Sequence, residues 1–150
     1  MIGEVERHHG AALARLVRHP EAPSIEIRAH GEQRSAYVLG ERIALYVKYS
    51  TSRLTPWRFA FRVEHQQEVA ELRAQFEHVF IVLVCGFEGI VCLSAEEYQR
   101  VLDDDPRRGE WIKARRGPRQ KYSVSGSDDR EAFKIADNEY PMKVFDAISV

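Results

Sequence analysis

The chain has 150 residues, of which 44% are hydrophobic and 30% charged, and a formal net charge of -1. A chain of this length suits one domain around one core, and the near-neutral charge excludes a generally basic nucleic-acid coat protein. An anionic partner would have to be met by one local face. The domain is expected to span 1-150, with a core over about 4-124 and a tail, 125-150, docking on it. Cys85 and Cys92 lie in or beside apolar runs with no wider cysteine framework, which points to a reducing, cytoplasmic setting. The longest apolar run, Val79 to Cys85, is far short of the roughly 20 residues that cross a bilayer, so no membrane partner is expected.

In chain order, Val5, Ala12, Leu13 and Leu16 recur at near-helical spacing from Glu4 to Arg18, and Pro20 follows, so an amphipathic helix is expected there. His8 and His9 are adjacent and lack acidic or thiol partners at ligand spacing, so they read as structural. Ser24 to Ala29 alternates Ile25 and Ile27 with polar residues and reads as a half-buried strand. Ala36–Leu39 reads as a short strand turned by Gly40-Glu41 onto Arg42–Ser50. The polar loop Thr51–Pro56 then leads to a further strand, Trp57–Val63, and the whole reads as a meander. Alternation puts Ile43, Leu45, Val47 and Tyr49 on one face of Arg42–Ser50, and Ala44, Tyr46, Lys48 and Ser50 on the other. In the next strand Trp57, Phe59, Phe61 and Val63 face one way, and Arg58, Ala60 and Arg62 the other.

Val69, Leu72 and Phe76 mark an exposed amphipathic helix. Val79 to Cys85 is almost unbroken apolar sequence, as in a strand covered on both faces, and is the candidate for the sheet centre. Gly86 to Gly89 turns it into Ile90–Leu93. Ser94 and Glu97 form a capping box ahead of Tyr98, Val101 and Leu102, and the acidic run Asp103-Asp104-Asp105 reads as a solvated helix end. Trp111 to Val124 contains Lys113, Arg115, Arg116, Arg119 and Lys121 without an acid, broken into two extended pieces by Gly117-Pro118. The fold class expected is α/β (α+β), a single domain with a mixed, mainly antiparallel sheet flanked by helices.

No serine or cysteine sits in a glycine-framed elbow, no phosphate-binding loop ends in Gly-Lys-Ser/Thr, and no dinucleotide fingerprint follows a strand. No catalytic centre, cofactor or metal is therefore read from these motifs. Two cationic places remain: the polar side of the meander, with Tyr46, Lys48, Arg58 and Arg62 beside Glu26 and Arg28, and the basic window after Trp111. Brought together, they would make a groove of cations and aromatics suited to a phosphate backbone and stacked bases. The plainer reading is that strand cations keep the protein in solution and blunt sheet edges.

The order of helix, strands, the Ala44-Leu45-Tyr46-Val47-Lys48 strand, another strand, amphipathic helix and buried apolar strand resembles the PD-(D/E)XK nuclease superfamily, over Glu4 to Leu93. The resemblance implies a restriction-endonuclease-like fold in which an acid-x-Lys tripeptide and an upstream acid hold a divalent metal. Lys48 matches the lysine, but Tyr46 stands where the acid belongs, and a neutral phenol is a poor magnesium ligand. Glu26, Glu41 or Glu6 would have to supply the upstream acid, so the implied active site, Glu26, Tyr46 and Lys48, is degenerate. The stretches Leu45 to Thr51, Trp57 to Phe61 and Leu83 to Gly86 also resemble those of small uncharacterised bacterial proteins.

The function expected is a non-catalytic nucleic-acid-binding or nuclease-related accessory module, in bacterial defence or DNA processing. Lys48, Arg58, Arg62, Lys113, Arg115 and Arg116 would meet the phosphates of DNA or RNA. One alternative is a protein-interaction subunit or homodimer that uses the sheet edge or the aromatics Trp57, Phe59 and Phe61. The other is a nuclease with displaced acids, the one case in which Mg2+ would be needed.

Overall fold

In the computed structural model, residues 1–102, 108–127 and 133–149 are described. The run Asp103-Asp104-Asp105, read above as a solvated helix end, lies outside the described residues. Helix α1 (Glu4–Val17) buries His8, His9, Ala12 and Leu16 along one stripe. Strands β1 (Ile27–Ala29), β2 (Ala36–Leu39) and β3 (Ile43–Ser50) form an antiparallel meander. The chain continues through β4 (Trp57–Phe61), helix α2 (Val63–Gln75), and strands β5 (His78–Cys85) and β6 (Gly89–Ser94). Helix α3 (Ala95–Val101), strands β7 (Glu110–Arg115), β8 (Tyr122–Gly126) and β9 (Phe133–Ile135), and helix α4 (Met142–Asp146) complete it.

The result is a single α+β domain with a mixed, mainly antiparallel sheet of order β1-β2-β3-β5-β6, flanked by the four helices. Its one parallel pair is β3 with β5, in register from Ile43 opposite His78 to Ser50 opposite Cys85. A second, antiparallel sheet has the order β4-β7-β8-β9.

That second sheet corrects the expected meander. β4 does not continue β3; it leaves through the loop after Ser50 and pairs with β7, while β5 takes the neighbouring edge of β3. The cause is apolar surface on both sides of β3. Ile43, Leu45 and Val47 pack with α1, α4 and the alternate residues of β5. Ala44 and Tyr46, expected on a polar side, are buried with Trp57, Phe59 and Phe61 of β4 in the core between the sheets. Burying this aromatic row of β4 against β3 removes far more apolar area from water than a hairpin with one wet face. Trp57, Phe59 and Phe61 are thus core residues.

Smaller boundaries shift for local reasons. The strand expected over Trp57–Val63 ends at Phe61, because Arg62 is the N-terminal cap of α2 and Val63 its first residue. Ser24 belongs to a 3-10 turn, so the first strand shortens to Ile27–Ala29. The capping box forms as expected: the Glu97 amide donates to Ser94 Oγ at 3.2 Å, and the Ser94 amide to Glu97 Oε1 at 2.9 Å. β5 is an interior strand, buried from Val79 to Cys85. The tail docks on the core, with Tyr140, Val144 and Phe145 buried and the Tyr140 hydroxyl donating to the Ala12 carbonyl at 2.7 Å.

Gly126 marks where β8 passes α3. A Cβ there would lie 1.8 Å from the Val101 carbonyl oxygen, a backbone atom that cannot swing aside. Gly126→Ala is expected to destabilise the fold by about 3 kcal/mol, the upper range for forced overpacking, as read from urea denaturation. An unchanged midpoint would show that α3 and β8 are not tightly joined.

Candidate nucleic-acid interface

Alternation along the second sheet sorts its side chains cleanly. Trp57, Phe59, Phe61, Ile112, Ala114, Tyr122, Val124 and Ile135 point into the core. The opposite parity gives Arg58 and Ala60 on β4, Trp111, Lys113 and Arg115 on β7, Ser123 and Ser125 on β8, and Lys134 on β9, all partly or fully exposed. Among the described residues, no acid occupies this outward face of the strands. Register sets the side chains in rows: Arg58 opposite Lys113 and Lys113 opposite Ser125, then Arg115 opposite Ser123 and Ser123 opposite Lys134.

Directly opposed like charges destabilise a sheet. Arg58 and Lys113 are such a pair, and both sit over the Trp111 ring, at 4.8 and 5.7 Å from its centroid. The negative face of the indole offsets part of their repulsion. Among the described residues, no carboxylate lies within ion-pair distance of Arg58, Lys113 or Arg115.

Beside this face lies an open cavity of about 530 Å³, lined by Arg34, Ser35, Lys48, Ser50, Thr51 and Arg58, with Val5 and His9 of α1. It sits where β2 has ended and the last residues of β3 run on beyond it. Arg58 belongs to both the cavity and the sheet face, which makes them one continuous cationic surface.

Lys48 crosses from the end of β3 to β4 and α2. Its Nζ donates to the Ala60 carbonyl and lies 3.0 Å from His65 Nδ1. That nitrogen also accepts from the Arg62 backbone amide at 3.1 Å, so it is the acceptor nitrogen and the ring proton resides on Nε2. Burial pushes the Lys48 ammonium down to about 8, opposed by the charge of Glu68 and reinforced by that of Arg62. Burial, and then the Lys48 charge, also lowers the His65 imidazole. Glu68 accepts a hydrogen bond from the Tyr46 hydroxyl at 2.7 Å, and burial with this bond raises the phenol far above its ordinary value. Lys143 provides the contrast. It is also half-buried, but its Nζ pairs with Glu97 at 2.9 Å and Glu139 at 3.0 Å, and its ammonium is raised. Lys48 faces neutral acceptors, Lys143 faces carboxylates, and their protons respond in opposite directions.

The structure brings Arg58, Lys113 and Arg115 onto one face and joins Lys48 to them through the cavity. Arg62 stands elsewhere, in a shallow cavity with Glu32, Glu64, Glu68 and Glu71. Arg116 turns toward the loops, donating to the Glu88 carbonyl at 2.8 Å and lying 4.3 Å over the Tyr122 ring. Glu26 is not beside Lys48. Its carbonyl accepts from Gly40 at the β2–β3 turn, and its carboxylate lies 3.9 Å from Arg28, whereas Lys48 lies five residues along β3 from Ile43. At the usual strand rise that is roughly 17 Å. Glu41 occupies the same distant turn. The acid near Lys48 is Glu68, and sequence reading missed it, together with His65, Arg34 and Lys134. The one available signal was the i, i+3 spacing of His65 and Glu68 on a helix read as merely exposed.

Among the described residues, no three His, Cys, Asp or Glu side chains are placed to hold a metal ion. Cys85 and Cys92 are buried free thiols, each pushed up to about 12 by burial, and neither is a ready nucleophile. No helix among the described residues is long and apolar enough to cross a membrane. Comparison with protein-family models, curated proteins and solved structures finds no match for this chain.

The lowered Lys48 value fixes a pH response. Between about 8 and its ordinary 10.5, the unfolded chain keeps the lysine proton and the folded chain has released it. The unfolded state then binds more protons, so stability rises with pH across that interval and the penalty of a buried ammonium is greatest below it. Urea denaturation of the wild type and of Lys48→Met, which removes the titration, should show the difference moving in favour of the wild type as pH rises through the interval. A constant difference would mean that the ammonium is not destabilised by its site.

Proposed function

We propose that this protein binds single-stranded nucleic acid across the outward face of its β4-β7-β8-β9 sheet. The observation that carries the reading is the outward strand face, which holds Arg58, Lys113, Arg115 and Lys134 and no acid among the described residues. A chain of net charge -1 has enough carboxylates to neutralise such a face, yet none of those among the described residues lies on it. Uncompensated cations in rows fit a ligand that carries regularly spaced negative charge.

Trp111 favours single strands over duplex. It is the half-buried aromatic amid these cations, and its partly open indole offers a stacking surface to an unpaired base. Ser123 and Ser125 add hydroxyls able to donate to phosphate oxygens. The cavity that holds Arg34, Lys48 and Arg58 extends the track beyond the sheet edge. The same observations support the part of an accessory module in DNA or RNA processing.

Fluorescence anisotropy with labelled single-stranded DNA or RNA tests this. Three or four phosphate contacts predict a slope of log affinity against log salt of about -2 to -3, and removing two contacts should reduce it by about 1.4. Arg58→Ala with Lys113→Ala is the pair to combine. Trp57 is 2% exposed, so quenching of the intrinsic fluorescence on binding would report on Trp111. Absence of binding at low salt to single strands of either kind would sink the reading, and a preference for duplex would remove the part assigned to Trp111.

A further inference from the structure

We propose that Lys48 is a nucleophilic amine that captures a phosphate-bearing sugar aldehyde as an imine, its source in the present reading being the ring-opened abasic site of a bound strand. The inference rests on the nucleic-acid reading for that source, and on the geometry around Lys48 for the chemistry.

The hydrogen bonding suits a neutral amine. Nζ has two acceptors, the Ala60 carbonyl and His65 Nδ1, the latter at 3.0 Å. A neutral amine has two N–H bonds to match them and one lone pair left over. The other charged and titratable groups about the site, among the described residues, are Tyr46 and Tyr49 on β3, Arg58 on β4, Arg62 and Glu68 at α2, Arg34 before β2 and His9 on α1. None forms an ion pair with Lys48, in contrast to the carboxylates that hold Lys143. The low proton affinity of Lys48 follows from this setting and matches the activation seen in lysines that form Schiff bases.

The cavity supplies the specificity. Lys48 lines it together with Arg34 and Arg58, and Ser35, Ser50 and Thr51 add hydroxyls. Phosphates on either side of an aldehyde would find the two guanidiniums as fork-shaped partners. The volume of about 530 Å³ exceeds what a single deoxyribose phosphate needs and falls within the range of small-molecule sites. An intact base would be held outside, over Trp111, and a site that has lost its base leaves its sugar free to enter.

The step balances without a co-reactant. The Lys48 lone pair attacks the aldehyde carbon, a proton passes from nitrogen to the new alkoxide, and the carbinolamine loses water to give the C=N bond. Amine and aldehyde become imine and water. His65 Nδ1, in direct contact with Nζ at 3.0 Å, is the group placed to assist the proton movement at the amine.

The test is reductive trapping with borohydride, which adds hydride to the imine and fixes it as a secondary amine. The full chain is incubated with a single-stranded oligonucleotide carrying one abasic site, with the intact oligonucleotide, or with glycolaldehyde phosphate, and adducts are mapped by proteolysis and mass spectrometry. Lys121, exposed and outside the proposed strand face, serves as the internal reference for random labelling. The expected result is an adduct on Lys48 with the abasic strand, none with the intact strand, and loss of the adduct in Lys48→Arg. Arg58→Ala should reduce the yield several-fold while leaving the amine in place. Binding of the intact strand without any adduct on Lys48 would overturn the inference and leave the nucleic-acid reading standing. An adduct with glycolaldehyde phosphate alone, without strand binding, would overturn the abasic source together with the nucleic-acid reading. Labelling spread evenly over the lysines would likewise overturn it. Should Lys48→Arg fail to fold, the map of the wild-type adduct and the Arg58→Ala yield still decide.

Discussion

The parallel ladder between β3 and β5 is the constraint on which the rest of this molecule depends. It pairs eight residues of each strand and fixes β3 in the interior of the sheet. A parallel pair cannot be joined by a tight turn, so the chain between them must cross over, and here it does so by building β4 and α2. The crossover covers one face of the sheet with β4 and the strands that join it, and with α2. Helices α1 and α4 cover the other. Both faces of β3 are therefore dry until its last residues, where β2 has ended and Lys48 meets the cavity.

That fraying end explains how a lysine comes to be partly buried without a carboxylate ion pair. Lys48 has the parity of Ala44 and Tyr46, which points it between the two sheets, and its stem reaches past Phe61, whose ring centre is 4.9 Å from Nζ. α2 begins at that point, so the groups available to Nζ are the turns of its first residues and the edge carbonyl of β4. Glu68, one turn further along α2, is already engaged by Tyr46. A phenol in that place spends the nearest carboxylate on a hydrogen bond and leaves the amine to neutral neighbours.

Local elements were legible in the sequence because their signals are local. The alternation of β4, the capping box of α3, the break at Gly117-Pro118 between β7 and β8 and the apolar run of β5 all identify themselves by period or punctuation. Pairing was not legible, since which strand neighbours which depends on contacts remote in sequence. Ala44 and Tyr46 read as the polar side of β3 because alternation sets them with Lys48 and Ser50, and only the second sheet makes that side a core. The same limitation governs the site. Arg58 and Lys113 each stood out as strand cations, yet their opposition across β4 and β7 is a matter of register. Lys134 joined them from a tail with no readable period. Glu68 looked like one more acid on a solvated helix, and its meaning comes from Tyr46, 22 residues earlier.

The opposed pair Arg58 and Lys113 also gives the free protein an internal tension that dissolved ions can relax. Counterions screen repulsion between exposed cations over distances of several ångströms, so this part of the sheet gains from added salt. A polyanion lying across the same cations would lose by it. Ionic strength thus acts on one set of side chains with two signs, steadying the empty sheet and loosening its occupant, and a ligand in place would do for the fold what salt does in its absence.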